Sequence, residues 1–115
     1  MAANSQIAFN PQGETVVIPV DTVAPAGIQA LVTQVQGQAG QYRIVNAGTN
    51  TVFLGVGATA VAAQANAVAP VAGNPSSAIP LVPGAVEVIR FGEEVYFSGL
   101  ASAATTVYIT PGQGL

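Results

Sequence analysis

Seven charged side chains carry whatever acid–base or metal chemistry this 115-residue chain can perform. They are five carboxylates and two guanidiniums: Glu14, Asp21, Glu87, Glu93, Glu94, Arg43 and Arg90. The chain has no His and no Cys, so it lacks an imidazole base, a thiolate nucleophile, the usual zinc ligands and disulfides. A nucleophile would have to be a hydroxyl, yet neither a GxSxG nor an SxxK motif occurs. We therefore expect a protein that is not an enzyme and that binds no cofactor and no metal.

Three of the carboxylates lie close together in the sequence, and two carboxylates suffice for glycoside hydrolysis. Glu93 and Glu94 are adjacent, however, so their side chains point to opposite faces of an extended chain. Glu87 and Arg90 are separated by an odd offset and face apart for the same reason. We favour a solvated hairpin tip in which Arg90 lies near Glu94. An enzyme is the alternative only if a deep pocket gathers Glu87 or Glu94 with Arg43.

A third pattern, Gly55–Ala60, matches the GxGxxA dinucleotide fingerprint directly after an apolar run. That fingerprint belongs to a βαβ unit and needs an acidic residue about twenty positions later. The next acidic residue is Glu87, which is too distant. We predict instead that Gly55 and Gly57 end or bend a strand.

The charge balance argues against two further classes of partner. A net charge of −3 with two basic residues disfavours a nucleic acid, because neutralising phosphates needs clustered Lys and Arg. The most apolar window, Val52–Ala72, is interrupted by Gln64, Asn66 and Pro70, which disfavours a membrane span. The first ten residues also lack the basic and apolar regions of a secretory signal. We expect neither a nucleic acid nor a membrane as partner.

The elements that position these residues are short β-prone runs separated by Gly, Pro, Asn and Ser about every ten residues. This spacing predicts an all-β fold, an antiparallel β-sandwich or jelly roll, in a single domain spanning residues 1–115. Eight Ala between Ala58 and Ala72 indicate a short Ala-rich insertion that packs over a sheet edge or forms a loop, and Pro70 should stop any helix. The predicted strands are Gln6–Phe9, Thr15–Val20, Ala30–Gln36, Tyr42–Asn46, Thr51–Val56, Ile79–Val82, Val86–Phe91, Val95–Ser98 and Thr105–Thr110.

Two predicted hairpins join neighbouring runs. The first turns around Gly48–Asn50 and pairs Tyr42–Asn46 with Thr51–Val56. The second turns around Gly92 and Glu93, joining the runs on either side. Near the C-terminus, Val107 and Ile109 alternate with polar residues and Tyr108, which is the half-buried pattern of period two.

The scarcity of charge predicts that partner chains cover much of the surface. A monomer of this mass exposes about 5,800 Å², or about 800 Å² for each charge, whereas soluble designs charge about a quarter of surface positions. Apolar residues also occupy both faces of the run Thr51–Val56, as in strands covered on both sides. We expect a homo-oligomer, a trimer or a dimer, with residues 1–20 as a possible extended arm. The candidate contact residues are Ile7, Phe9, Val16, Ile18, Arg43, Phe53, Tyr96 and Tyr108.

Two stretches within residues 42–115, on either side of the Ala-rich insertion, resemble small virion proteins of tailed bacteriophages that are encoded near the capsid genes. The resemblance lies in Arg43–Asn46, Val52–Gly55, Leu81–Gly84, Phe91–Gly92 and Thr106–Gly112. It implies a capsid decoration or cement protein with a sandwich or jelly-roll fold, synthesised in the bacterial cytoplasm and bound to the major capsid protein on the exterior of the virion.

One alternative binding function is a receptor- or glycan-binding fibre or adhesin module. Aromatic side chains can form a platform for a sugar, and Tyr42, Tyr96, Phe97 and Tyr108 are the candidates. We favour core and interface packing for these aromatic residues.

Overall fold

The computed structural model describes residues 9–31, 40–91 and 95–113, which form eight β-strands and one short α-helix. Short β-prone runs bounded by turn residues form most of the strands, as the spacing predicts. The elements are β1 (Asn10–Pro11), β2 (Val16–Val20), β3 (Gln41–Asn46), β4 (Val52–Gly57), α1 (Ala60–Asn66), β5 (Ile79–Leu81), β6 (Val86–Arg90), β7 (Tyr96–Leu100) and β8 (Thr105–Gln113).

The strands form two antiparallel sheets. In the five-stranded sheet the order is β1-β8-β3-β6. β2 pairs with β8 on the same edge as β1: β1 lies along the end of β8 and β2 along its first five residues. In the three-stranded sheet the order is β5-β4-β7, and Ile28 extends it by bridging to Phe97 of β7. Most consecutive strands therefore lie in different sheets. This order is that of a jelly roll, so the all-β sandwich prediction is confirmed.

Side chains from both sheets meet in one core. Val107 and Ile109 of β8 are fully buried, which confirms the alternation predicted for that strand. The aromatic centre of the core is Tyr42, whose ring centroid lies 4.9 Å from that of Phe97 in an edge-to-face arrangement. Phe91 packs against both rings. The remaining large core residues are Ile18, Val20, Ile44, Val52, Leu54 and Leu81.

Both predicted hairpins are wrong, although most of their strands exist. β3 pairs with β6 and β8, while β4 pairs with β5 and β7. The bends at Gly48–Asn50 therefore carry the chain from one sheet to the other. β6 and β7 likewise lie in different sheets. A tight turn between two β runs looks the same in sequence whether the strands pair or pack face to face.

Asn46 holds the first of these crossovers in place. Its side-chain amide donates to the carbonyl of Asn50 at 2.9 Å and to that of Leu81, in the other sheet, at 2.8 Å. The side-chain oxygen accepts from the Gly48 N–H at 3.1 Å and from the Thr105 hydroxyl at 3.3 Å. Asn46 is 0% exposed. Among the described residues, no buried side-chain nitrogen or oxygen lacks a partner.

The Ala-rich insertion packs over the outer face of the three-stranded sheet. A Cβ on Gly55 would overlap the backbone of Ala63 and Ala67, and one on Gly57 would overlap that of Ala62 and Ala63. These glycines therefore let α1 lie directly against β4. The prediction that they end or bend a strand holds for Gly57, the last residue of β4, whereas Gly55 lies within the strand. The Asn66 side chain donates to the Val56 carbonyl at 2.8 Å and fixes the end of the helix.

The described part of the N-terminal segment belongs to the sheet. β2 pairs with the chain's own β8 along its whole length, and Ile18 is 1% exposed. Val16–Val20 is therefore an integral strand rather than part of an arm that reaches a neighbour. Most of the predicted strands Gln6–Phe9 and Ala30–Gln36 lies outside the described residues.

We expect Asn46→Ala to lower the free energy of unfolding by about 2–4 kcal/mol, because it leaves buried polar groups of both sheets without partners. Asn50→Ala is the control, since its side chain makes one long, exposed hydrogen bond of 3.5 Å to Ala104 and its loss should cost under about 1 kcal/mol. Urea unfolding of the three proteins measures the difference. Equal midpoints for the two variants would contradict the role given to Asn46.

Candidate interaction surface

A row of apolar side chains crosses the outer face of the five-stranded sheet. Paired residues of an antiparallel ladder share a face, and the ladder pairs Val17 with Tyr108, Tyr108 with Val45 and Val45 with Val86. Three of these side chains are well exposed: Val17 by 47%, Tyr108 by 40% and Val86 by 49%. The row therefore runs from β2 to β6 and presents a continuous apolar strip to solvent.

Both arginines lie beside this row, on the same face. Arg43 of β3 pairs with Val88 and Thr110, and Arg90 of β6 pairs with Gln41. Both arginines are exposed. Glu87 pairs with Ile44 and therefore lies on the same side of the sheet as that core residue, opposite to the arginines. No carboxylate of the described paired strands shares the outer face, which is cationic although the whole chain carries −3.

The two sheets differ in how their outer faces are covered. On the three-stranded sheet, Gln64 of α1 donates to the Ala24 carbonyl at 2.8 Å, and Ser98 of β7 donates to the Pro25 carbonyl at 2.6 Å. These bonds hold α1 and the segment after β2 against that sheet. On the five-stranded sheet, within the described residues, Phe9 covers one corner by lying over Gly112. The larger sheet therefore has the more open face.

Two of the predicted contact residues meet on this open face. Arg43 and Tyr108 lie on adjacent strands in diagonal positions, since Arg43 pairs with Thr110 and Tyr108 pairs with Val45. Phe9 is half-buried at the edge of the same face, over Gly112.

The other predicted contact residues lie elsewhere. Ile18 is in the core and Val16 is half-buried against it, so neither side chain lies on the outer face of β2. Phe53 and Tyr96 are half-buried on the outer side of the three-stranded sheet. Ile7 lies outside the described residues.

Val17, Val45 and Val86 belong to the row but escaped the sequence analysis. The run Val16–Val20 is apolar at every position, so period two alone cannot tell which side faces the core. Pro19 indicates that β2 is an edge strand, but it does not tell which of the two faces is buried.

The structure places some of the groups named for the enzyme and glycan-binding alternatives. Arg43 and Glu87 lie on opposite faces of the sheet, and Glu94 lies outside the described residues. Among the described residues, no three His, Cys, Asp or Glu side chains are grouped as metal ligands. Tyr42 and Phe97 are in the core, so the candidate aromatic platform for a sugar is not assembled.

A shallow cleft of about 260 Å³ lies beside α1. Its lining is uncharged: Ala65, Asn66, Val68, Asn74, Pro75, Ser76 and Ser77. Asn66 and Ser76 already donate to the carbonyls of Val56 and Val68, so the cleft's polar groups largely serve the fold.

The seven-residue helix α1 falls well short of a bilayer's thickness, and no helix in the described part of the chain is long and apolar enough to span one. No protein-family model matches the sequence, and no curated protein is found to be similar to it.

Tyr108→Thr and Ile109→Thr test the assignment of the two faces of β8. We expect Tyr108→Thr to change the free energy of unfolding by about 1 kcal/mol or less, because it removes only cross-strand contacts at an exposed site. Ile109 is 0% exposed, so Ile109→Thr should cost about 2–4 kcal/mol. Thermal or urea unfolding measures both, and the reverse order would refute the assignment.

Proposed function

We propose that this protein is a structural component of a tailed-phage virion, a decoration or cement protein that stabilises the head by bridging capsid subunits. In this role the outer face of the five-stranded sheet docks on the major capsid protein, on the exterior of the shell. The mechanism is burial of complementary surface, repeated by the symmetry of the capsid, without a chemical step.

The observation that carries the proposal is the row formed by Val17, Tyr108, Val45 and Val86. Scattered apolar residues are normal on a protein surface, but a contiguous exposed strip marks a contact with another molecule. The strip lies on a sheet whose strands are held on the other side by the core, so the surface is preorganised. A preorganised surface loses little conformational entropy on binding.

Charge supports the same face. Arg43 and Arg90 lie on the same side of the row and are the only basic residues of the chain. A protein of net charge −3 that places both cations on one face favours approach of an acidic partner surface through that face. The expected contact has an apolar centre with charged groups at its margin, as in other protein interfaces.

The composition of the chain supports assembly as well. Its accessible surface of 6225 Å² is shared by seven charges, about 890 Å² for each, far below the charge density of surfaces designed for solubility. The resemblance of residues 42–115 to small virion proteins gives the assembly its proposed identity. The alternative function is that of a fibre or adhesin module that binds a receptor or glycan, and the experiment below distinguishes the two functions.

Val17→Glu and Val61→Glu form a matched pair of variants for this test. Both place one negative charge at an exposed valine, but Val17 lies on the proposed docking face and Val61, 75% exposed on α1, lies over the other sheet. Added to heads purified without the protein, Val17→Glu should bind at least tenfold more weakly than wild type, because a buried unpaired charge costs several kcal/mol. Val61→Glu should bind like wild type.

Cosedimentation of protein with heads measures occupancy, and heating of decorated heads measures stabilisation of the shell. Equal binding by the two variants would exclude the proposed face. Heads whose heat resistance is the same with and without the protein would exclude the cement role. Retention of the protein on immobilised host surface polysaccharide, without binding to heads, would favour the receptor- or glycan-binding module.

A further inference from the structure

β6 has a free hydrogen-bonding edge. The pairs Asn46–Ala85 and Gly40–Phe91 at the two ends of the β3–β6 ladder are hydrogen-bonded, at 3.0 Å and 2.6 Å. Because residues of an antiparallel strand bond alternately to either side, Glu87 and Ile89 bond to β3 and their neighbours bond outward. The N–H and C=O groups of Val86, Val88 and Arg90 therefore point away from the sheet. None of them is paired with another described residue.

Proline blocks the corresponding position on β2. Pro19 pairs with Thr106, whose carbonyl accepts from Ala47 on the β3 side of β8. The nitrogen of Pro19 therefore faces outward, where a further strand would need an N–H.

The same argument holds for β1 and β5. Gln12 donates to the Pro111 carbonyl, so the adjacent Pro11 points its nitrogen away from β8. In the other sheet, Phe97 of β7 bonds to Ile28, so its neighbours in β7 bond to β4. The other residues of β4 in its ladder with β5, Val52 and Leu54, then bond to Leu81 and Ile79 of β5. The nitrogen of Pro80, between these two, therefore faces outward. Among the described residues, the outward position of β1 and of β5 is thus a proline. β2 keeps one outward N–H, that of Val17, next to the blocked position of Pro19, whereas β6 retains three.

We infer that β6 pairs antiparallel with β6 of a second copy of this chain, forming a dimer with a sheet continuous across the two subunits. This contact is distinct from the proposed docking face on the capsid and does not depend on it. An edge strand with free N–H and C=O groups is a template for strand addition.

The described edges favour a second copy in a closed dimer. The proline-bearing edges of another copy accept β6 poorly, so the matching edge is its own β6. Such a contact is isologous and has two-fold symmetry, which uses both free edges and ends the assembly at two chains.

Full use of the free edge selects the register. Several two-fold registers place outward residues opposite outward residues, but only the one centred on Val88 pairs all three of them: Val88 lies opposite Val88 of the second copy, and Val86 lies opposite its Arg90. In this register every outward N–H of β6 meets a C=O. In this register each Val86, where the apolar row of one copy ends, lies beside Arg90 of the other copy, and the Val88 pair lies between the two rows.

Val88→Pro tests the inference by placing an outward-facing proline nitrogen on β6, as Pro11, Pro19 and Pro80 do on the other edges. It removes an outward N–H and leaves the bonds of Glu87 and Ile89 to β3 intact. Val88→Thr is the matched control, since it keeps the β-branched shape and the N–H. Sedimentation equilibrium should give a mass of about 23 kDa, twice the 11.4 kDa chain, for wild type and Val88→Thr. Val88→Pro should sediment as a folded monomer.

Amide hydrogen exchange of the wild-type protein provides a second measurement that does not depend on the folding of a variant. The amides of Val86, Val88 and Arg90 should gain at least tenfold protection as the protein concentration rises through the dimer range. A wild-type protein that is monomeric at millimolar concentration would overturn the inference. So would an oligomer that persists in folded Val88→Pro, or edge amides whose exchange is independent of concentration. Val88→Pro that still binds phage heads would leave the proposed function standing.

Discussion

The crossover at Asn46 is the constraint on which the arrangement of both sheets depends. The chain leaves β3 in one sheet and enters β4 in the other within a few residues, and one buried side chain bonds both ends of this passage. It also bonds β5 of the smaller sheet and Thr105 at the start of β8. An apolar residue of similar size would fill the space, but it would not specify which strand ends must meet there. Asn46 thus selects one topology among the sandwiches that the same strands could form.

The covering of one sheet determines what the other can do. Gly55 and Gly57 allow α1 to lie against β4, and backbone carbonyls of the segment after β2 bind side chains of α1 and β7. The smaller sheet is therefore enclosed by its own chain. The apolar outer residues of β4, which suggested a partner protein, are explained largely by this intramolecular layer. The argument for a partner consequently moves to the larger sheet and to the row that includes Tyr108.

The sequence predicts the strands well and their partners poorly, for a physical reason. Strand formation depends on local composition and turn residues, so β3, β6 and β8 are recognisable from their own residues. Pairing in a jelly roll joins strands that are distant in the sequence, and β8 pairs with β1, β2 and β3. Two residues of the proposed docking face, Arg43 and Tyr108, are among the predicted contact residues, because they are polar or aromatic residues in apolar strands. Val17 was missed because β2 is apolar on both sides and only its neighbours determine which side is buried.

The outward prolines bear on how this protein stays dispersed in solution. Most small proteins resist aggregation through electrostatic repulsion between molecules, and added salt weakens this repulsion by shortening its range. A chain with seven charged side chains has little of that repulsion. Pro11, Pro19 and Pro80 act through covalent structure, because a missing N–H cannot be restored by salt or by a change of pH. The colloidal behaviour of the protein should therefore depend much more on these ring nitrogens than on ionic strength.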